Sequence, residues 1–364
     1  MSKTPIQLSD HFTCRKLICF TLPSITMIIF TAIYGVVDGF FVSNFAGKTA
    51  FAAVNFIMPT LMMLGGVGFM FGTGGSALVA MRLGEKKQME ANRIFSMLVY
   101  VSIVCGLALG ILGIIFLPNI ARALGAEGEM LEQCVLYGRI ILLANAAFFL
   151  QMEFQSFFIT AEKPHLGLTI TVAAGVTNMV LDAVFVGVLR WGLVGAAAAT
   201  ALSQVVGGVF PLLYFGRKNS SLLRLTRTRI LWYELGKACA NGSSELMSNI
   251  SMSLVGMLYN VQLLRYAGEN GVSSYGVLMY VSMIFSAMFI GFSIGSAPVV
   301  SYHYGAENHD ELKSLLRKSG IVLSCFSIAM FVLSQLLAYP LSQLFVGYDE
   351  ELLDMICIYW GKRV

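Results

Sequence analysis

Long apolar runs alternate with short polar breaks along this chain, and the runs share one length. Stretches of ~20 residues or more, enough at 1.5 Å per residue to cross ~30 Å of hydrocarbon, lie near 17–43, 51–80, 95–117, 131–157, 166–189, 193–215, 238–264, 273–301 and 319–340. A tenth opens near 352 and is cut by the last residue. The pattern predicts an all-α polytopic membrane protein with nine to ten transmembrane helices present.

The pattern also repeats. The stretch GGSALVAMRLGEKK at 74–87 is echoed by GSAPVVSYHYGAEN at 295–308, an offset of 221 that matches Gly74 to Gly295, Val79 to Val300 and Gly84 to Gly305. The same offset pairs Ala46-Gly47 with Ala267-Gly268, and farther on it drifts to 222 and then 223 (Cys134 with Cys357, Gly138 with Gly361). Two related halves follow. Because the first half holds six spans, an even number, the second starts on the same side, so the halves are related by an axis along the membrane normal. The expected division is an amino-terminal six-helix lobe at 1–215, a basic linker at 216–237 and a second lobe at 238–364, in which counterparts of 142–215 are missing.

Composition agrees with this division. Hydrophobic residues make up 57% of the 364, charged residues 12%, and the mean hydropathy is +0.76, too apolar for a soluble surface. The net charge of +4 forms no nucleic-acid patch, because Lys and Arg sit in short loops between spans. The amino terminus and alternate loops hold 17 of them and the opposite side seven, which places the amino terminus and the 216–237 segment in the cytoplasm of a cell-membrane protein. The first apolar run is too long for a signal-peptide core and is expected to stay as a helix. Seven cysteines without a CxxC pair indicate neither a disulfide framework nor a zinc site.

Against this apolar background, ionisable residues inside spans carry the functional signal, since a carboxylate in the bilayer core costs roughly 2.5–3.5 kcal/mol on insertion scales. Asp38 lies nine residues before Gly47, Asp182 eight before Arg190, and Thr200 eight after Gly192. All three therefore fall roughly 12–14 Å below the outer edge. Asn178 shares a helix face with Asp182 at i and i+4. Two carboxylates, an amide and a hydroxyl make a set of hard oxygen ligands suited to Na⁺, while like-charge proximity and burial favour a bound proton when the ion is absent. The plainer reading of the same residues is interhelical hydrogen bonding.

With these residues in view, the chain resembles the MATE multidrug and toxin extrusion family. The stretches that carry the likeness are VVDGFFVSNFAG (36–47), GSALVAMRLGE (75–85), NMVLDAVFVGVLRWGLVGAAAATALSQ (178–204) and GSAPVVSYHYGAEN (295–308). The resemblance implies a twelve-helix, two-lobe exporter of organic cations and other amphipathic compounds, driven by Na⁺ or H⁺ with no further cofactor. It also implies a coupling site on Asp38, Asn178, Asp182 and Thr200, and a second-lobe cation or substrate role for Glu245, which, eight residues past Lys237 and nearer the cytoplasm, reads equally as an interfacial carboxylate reaching water. The missing end of the second lobe leaves an inactive transporter fragment open. A lipid or lipid-linked oligosaccharide flippase of similar plan stays as the alternative, although the spans lack the cationic lining that phosphate head groups need.

Other residues suggest less. Glu153 is expected near the inner water boundary, and Asn55, Asn145 and Gln151 read as interhelical contacts. The glycines at 72, 74 and 75 mark close helix packing, not a phosphate loop, since no strand precedes them and no Lys-Ser/Thr follows. Pro23 predicts a kink in the first helix, and the 20 methionines read as apolar filler. His11, His165, His303 and His309 fall in or near polar loops without a metal motif. No nucleophile with its base is visible, so an enzyme is not expected.

Overall fold

The computed structural model describes residues 6–46 and 48–346. They form helices α1 (Cys14–Phe41), α2 (Lys48–Gly84), α3 (Gln88–Ala123), α4 (Gly128–Leu143), α5 (Asn145–Thr160), α6 (Pro164–Asp182), α7 (Gly192–Gly216), α8 (Trp232–Gly305) and α9 (His309–Val346). Two wide π-helical turns, Val42–Ala46 and Ala183–Val188, continue α1 and α6. No strand occurs among the described residues. Among the described residues seven helical segments are long and apolar enough to span a membrane, and the bent pair α4/α5 makes an eighth when counted as one span. The span expected near 352 lies outside the described residues.

Helix ends follow local chemistry. The Thr13 side chain caps α1 by accepting from the Lys16 amide at 3.2 Å, Pro164 opens α6, and Asn308 accepts from the Glu311 amide at the start of α9. Helices α3 and α9 begin well before the apolar runs that predicted them, because polar first turns (Gln88, Glu90; His309, Asp310) continue the helix into water.

One expectation needs correction. The run at 131–157 is not one helix, since α4 and α5 meet at a 59° bend. No proline is involved: the Asn145 side chain donates to Gly106 O of α3 at 2.9 Å, and Gly106 is so close to Ala146 that a Cβ there would stand 2.6 Å from its Cα. The runs at 238–264 and 273–301 both lie in α8, through which helical backbone is continuous.

Helix α8 nevertheless doubles back. Near its start, Glu234 accepts from Arg82 Nη2 at 2.8 Å, and near its end the Tyr302 carbonyl lies against Gly84. A straight helix would separate Glu234 from Tyr302 by about 100 Å. Both touch the last turn of α2, so α8 is two limbs joined by a helical corner between Asn249, which lies beside Gly66, and Gly291, which lies on Ile25.

The two halves meet through glycines, and the contacts obey the repeat. A Cβ on Gly84 would stand 2.0 Å from Tyr302 O, and one on Gly305 would stand 2.0 Å from Met81 O; the offset of 221 turns one pair into the other. Gly74 against Gly242 and Gly295 against Thr21 are related in the same way. Even the backbone repeats: Lys86 and Glu307, again 221 apart, both take positive φ (62° and 54°) just past their helices. Such close backbone crossings are how small residues join helices where lipid supplies no hydrophobic drive.

The first bundle is packed around an aromatic cluster in which Phe95 of α3 lies 4.8 Å from Phe157 and 5.1 Å from Phe215, centroid to centroid. An amino-terminal strap then ties both halves together. The Leu8 amide donates to Glu162 at 2.7 Å, the Phe12 amide donates to Glu311 at 2.9 Å, and Lys318 donates to Phe12 O. The strap covers His303, which is buried edge-on to Phe12 and not in a polar loop as its neighbours suggested.

Candidate cation site

Three helices of the first bundle bring the oxygen-bearing residues together. Small residues allow the approach: Gly175 of α6 faces Phe30 and Tyr34 of α1, where a Cβ would come within 2.6 Å of Phe30 Cε1, and it stands on the same helix face as Asn178 and Asp182. Buried Ala196, Ala197 and Ala199 serve α7 in the same way, one residue from Thr200. Asp38 sits one turn before the π-helical end of α1, and Asp182 is the last residue before that of α6. The two π segments touch each other. Single wide turns of this kind redirect side chains and are frequent at functional sites.

Asp182, Asn178 and Asp38 are buried at 0%, 1% and 7% exposure, and Thr200 is half-buried. The Asp38 and Asp182 carboxyl groups face each other at interacting range. Asn178 Nδ2 points at Thr200 Oγ1 across 3.4 Å, a long hydrogen bond. Asp38 Oδ1, Asn178 Oδ1 and both oxygens of Asp182 are buried with no hydrogen-bond partner. Buried oxygens left this way cost free energy unless a proton or cation satisfies them.

The site contains residues that the sequence reading overlooked. The fully buried Tyr137 of α4 has its hydroxyl near Thr200 and within electrostatic reach of both carboxylates. Tyr34 of α1 lies between Asp38 and Gln151 of α5. Nine residues of helix separate Tyr137 from Gly128 at the start of α4, which puts it at the level of the two aspartates; counted from the apolar run at 131 it falls nearer the edge. Glu245 is not part of the group. It is half-buried one turn past Gly242, where α8 packs on Met70 of α2, and no described contact links it to the other four.

Glu153 is a correction. It is fully buried with both oxygens unpartnered, not at a water boundary, because α2, α3 and α7 surround α5 from Phe149 to Thr160. Among the described residues no three His, Cys, Asp or Glu side chains converge, so a mixed set of carboxylate, amide and hydroxyl oxygens is the ligand chemistry on offer.

A family profile described as MatE matches residues 23–184 and 246–360, both halves of the repeat. The chain belongs to the MatE family. This MatE chain is 25% identical over 307 residues to the multidrug export protein MepA of Staphylococcus haemolyticus, covering 83% of its own length and 67% of that protein's. Against MepA of Staphylococcus aureus N315 it is 24% identical over 327 residues, covering 88% and 71%. It thus spans about two thirds of the length of these relatives. Among solved structures, a MATE protein in complex with MaL6 superposes with a TM-score of 0.89 at 23% identity, covering 99% of this chain and 79% of the other. An outward-facing multidrug resistance MATE transporter of the MOP superfamily gives 0.89 at 22%, covering 99% and 80%. These likenesses give the fold: a two-lobe helical transporter architecture.

Proposed function

We propose that this chain acts as a secondary active multidrug exporter of the cell membrane, taking organic cations or other amphipathic compounds outward in exchange for Na⁺ or H⁺. The observation that carries the reading is the group of four unpartnered buried oxygens on Asp38, Asn178 and Asp182. A small cation or a proton completes it, and competition between the two follows from their sharing the same oxygens. Thr200 meets the amide nitrogen of Asn178, and the buried Tyr137 hydroxyl, which likewise has no hydrogen-bond partner, is one more oxygen beside the site. The names of the MepA relatives support export of drugs, and the excess of Lys and Arg on alternate loops supports a cytoplasmic amino terminus.

The coupling works through the crossings between halves. Closed glycine contacts at Gly84 and Gly305 hold one end of the molecule shut, and ion occupancy shifts the balance between this arrangement and its opposite by binding the two unequally. The test is efflux of a fluorescent organic cation from vesicles carrying the protein, with Na⁺ and pH gradients imposed separately. Wild type is expected to respond to at least one gradient and Asp38→Asn to neither. Efflux indifferent to both gradients in wild type, or unchanged in Asp38→Asn, overturns the reading.

A further inference from the structure

The 217–231 segment between α7 and α8 is folded against α3 instead of hanging free. Its Arg224 amide donates to Asn92 Oδ1 at 3.0 Å and its Thr226 amide to Ser96 Oγ at 2.8 Å. At its far end the Leu231 amide points at Met97 Sδ, 3.0 Å away. Residues 227–230 therefore arch between two anchors on one helix. Beneath the arch is a cavity of about 440 Å³ lined by Arg93 of α3 and by Arg227, Thr228, Arg229 and Leu231. All three guanidinium-bearing residues are exposed, and among the described residues no carboxylate lies within ion-pair distance of any of them. Three unneutralised arginines around one small cavity are held there by the fold, and their planar forks suit phosphate oxygens.

The surface beside the cavity indicates what the phosphate is attached to. On α3 the exposed residues Tyr100, Val104, Leu107 and Ile111 continue the face that carries Arg93 at helical spacing, with exposures of 41%, 66%, 52% and 59%. From Tyr100 to Ile111 this apolar strip runs about 17 Å, close to the depth of one leaflet. Trp232 and Tyr233, 74% and 72% exposed, follow the arch directly, as aromatic residues do at the level of the head groups. Free phosphate needs the arginines but not the strip.

We propose that the cavity under the 227–230 arch is a site for an anionic phospholipid of the adjacent leaflet, with the phosphate held by Arg93, Arg227 and Arg229 and the acyl chains lying along the exposed face of α3. The proposal is independent of the coupling ion. Each arginine near an anionic surface contributes about fivefold in affinity, so removing two reduces lipid binding by about 25-fold.

The experiment measures phosphatidylglycerol retained by the purified, delipidated protein, by native mass spectrometry after titration. Wild type, Arg227→Gln/Arg229→Gln and a control of equal charge loss outside the cavity, Arg217→Gln/Lys218→Gln, are compared. The expected result is a loss of about 25-fold in the first variant, little change in the control, and no change in either for phosphatidylcholine. Equal losses in variant and control overturn the site in favour of a diffuse surface field, as does unchanged retention in the variant. Leu107→Ser is expected to weaken phosphatidylglycerol binding as well. Displacement of the lipid by millimolar inorganic phosphate or glycerol phosphate as effectively as by added phosphatidylglycerol marks the pocket as a site for the soluble anion and overturns the lipid assignment. Matching thermal unfolding of all variants in phosphatidylcholine excludes misfolding as the cause.

Discussion

Helices α3 and α9 begin at positions related by the repeat offset of 221, open with similar polar first turns, and contain comparably spanning apolar runs, yet their surroundings differ. The apolar part of α3 is 28% buried and that of α9 11%. The first is enclosed by α2, α4 and α5, whereas among the described residues α9 packs on α8 and α1, the repeat counterparts of α4 and α5 lying outside them. Hydropathy thus specifies that a segment enters the membrane, but which of its faces meets protein and which meets lipid depends on its neighbours.

The largest expected effect tests this contrast directly. Phe95 is fully buried among Phe154, Phe157 and Phe215, and its counterpart Leu316 is 79% exposed with respect to the described residues. Phe95→Ala is expected to destabilise the protein by about 3 kcal/mol through the cavity it leaves, while Leu316→Ala changes stability by less than about 0.5 kcal/mol. Denaturant titration in detergent measures both, and similar losses at the two positions would erase the contrast.

The glycine crossings, by comparison, make the halves alike. Gly84→Val and Gly305→Val each place side-chain atoms where the partner carbonyl already lies 2.0 Å from an ideal Cβ, so each should force the crossing open. Gly35, with nothing within 4 Å, is the control and should tolerate Ala. Spin labels at positions 86 and 307 are expected to move apart in both valine variants; movement in only one would show that the contacts are not equivalent.

A smaller asymmetry surrounds the offset-related pair Arg82 and His303. Arg82 pairs with Glu85 at 2.8 Å and with Glu234, whereas His303 is packed under the strap without a hydrogen-bond partner on its ring nitrogens. Just outside the membrane, hydrogen bonding from Lys87, with Arg82 adding to it against an opposing desolvation, holds the Glu85 carboxyl below its usual value of 4.5. A lowered carboxyl pKa stabilises the fold above the unfolded value, and that contribution is lost as pH falls through the folded one. A slight decline in stability below about pH 4.5 is therefore expected in wild type and should be reduced in Glu85→Gln, as measured by thermal unfolding across pH.

Much of the site could be read from the chain because depth is countable: three residues eight or nine positions from a span boundary must share a level, whereas Tyr137 joins that level only when counted from Gly128, where α4 begins ahead of its apolar run. Tyr34 and Gln151 could not be added in this way, since they depend on how α1 leans on α5. Glu153 was misplaced for a related reason. Its distance from the end of an assumed straight helix suggested water, but the bend at Ala144 carries α5 into the centre of the bundle, and that bend depends on an Asn145 side chain finding a carbonyl 39 residues away.

The order of apolar runs, the repeat and the presence of hard oxygens at one depth belong to the sequence alone, because they depend only on residue spacing and the 1.5 Å rise of a helix. Tertiary structure decided which of those oxygens lack partners, where α4 and α5 bend, how α8 doubles back, and which face of α3 stays exposed. These depend on contacts between residues far apart in the chain, such as Gly175 with Phe30 or Gly84 with Tyr302, and local pattern cannot encode contacts that form only when the helices assemble.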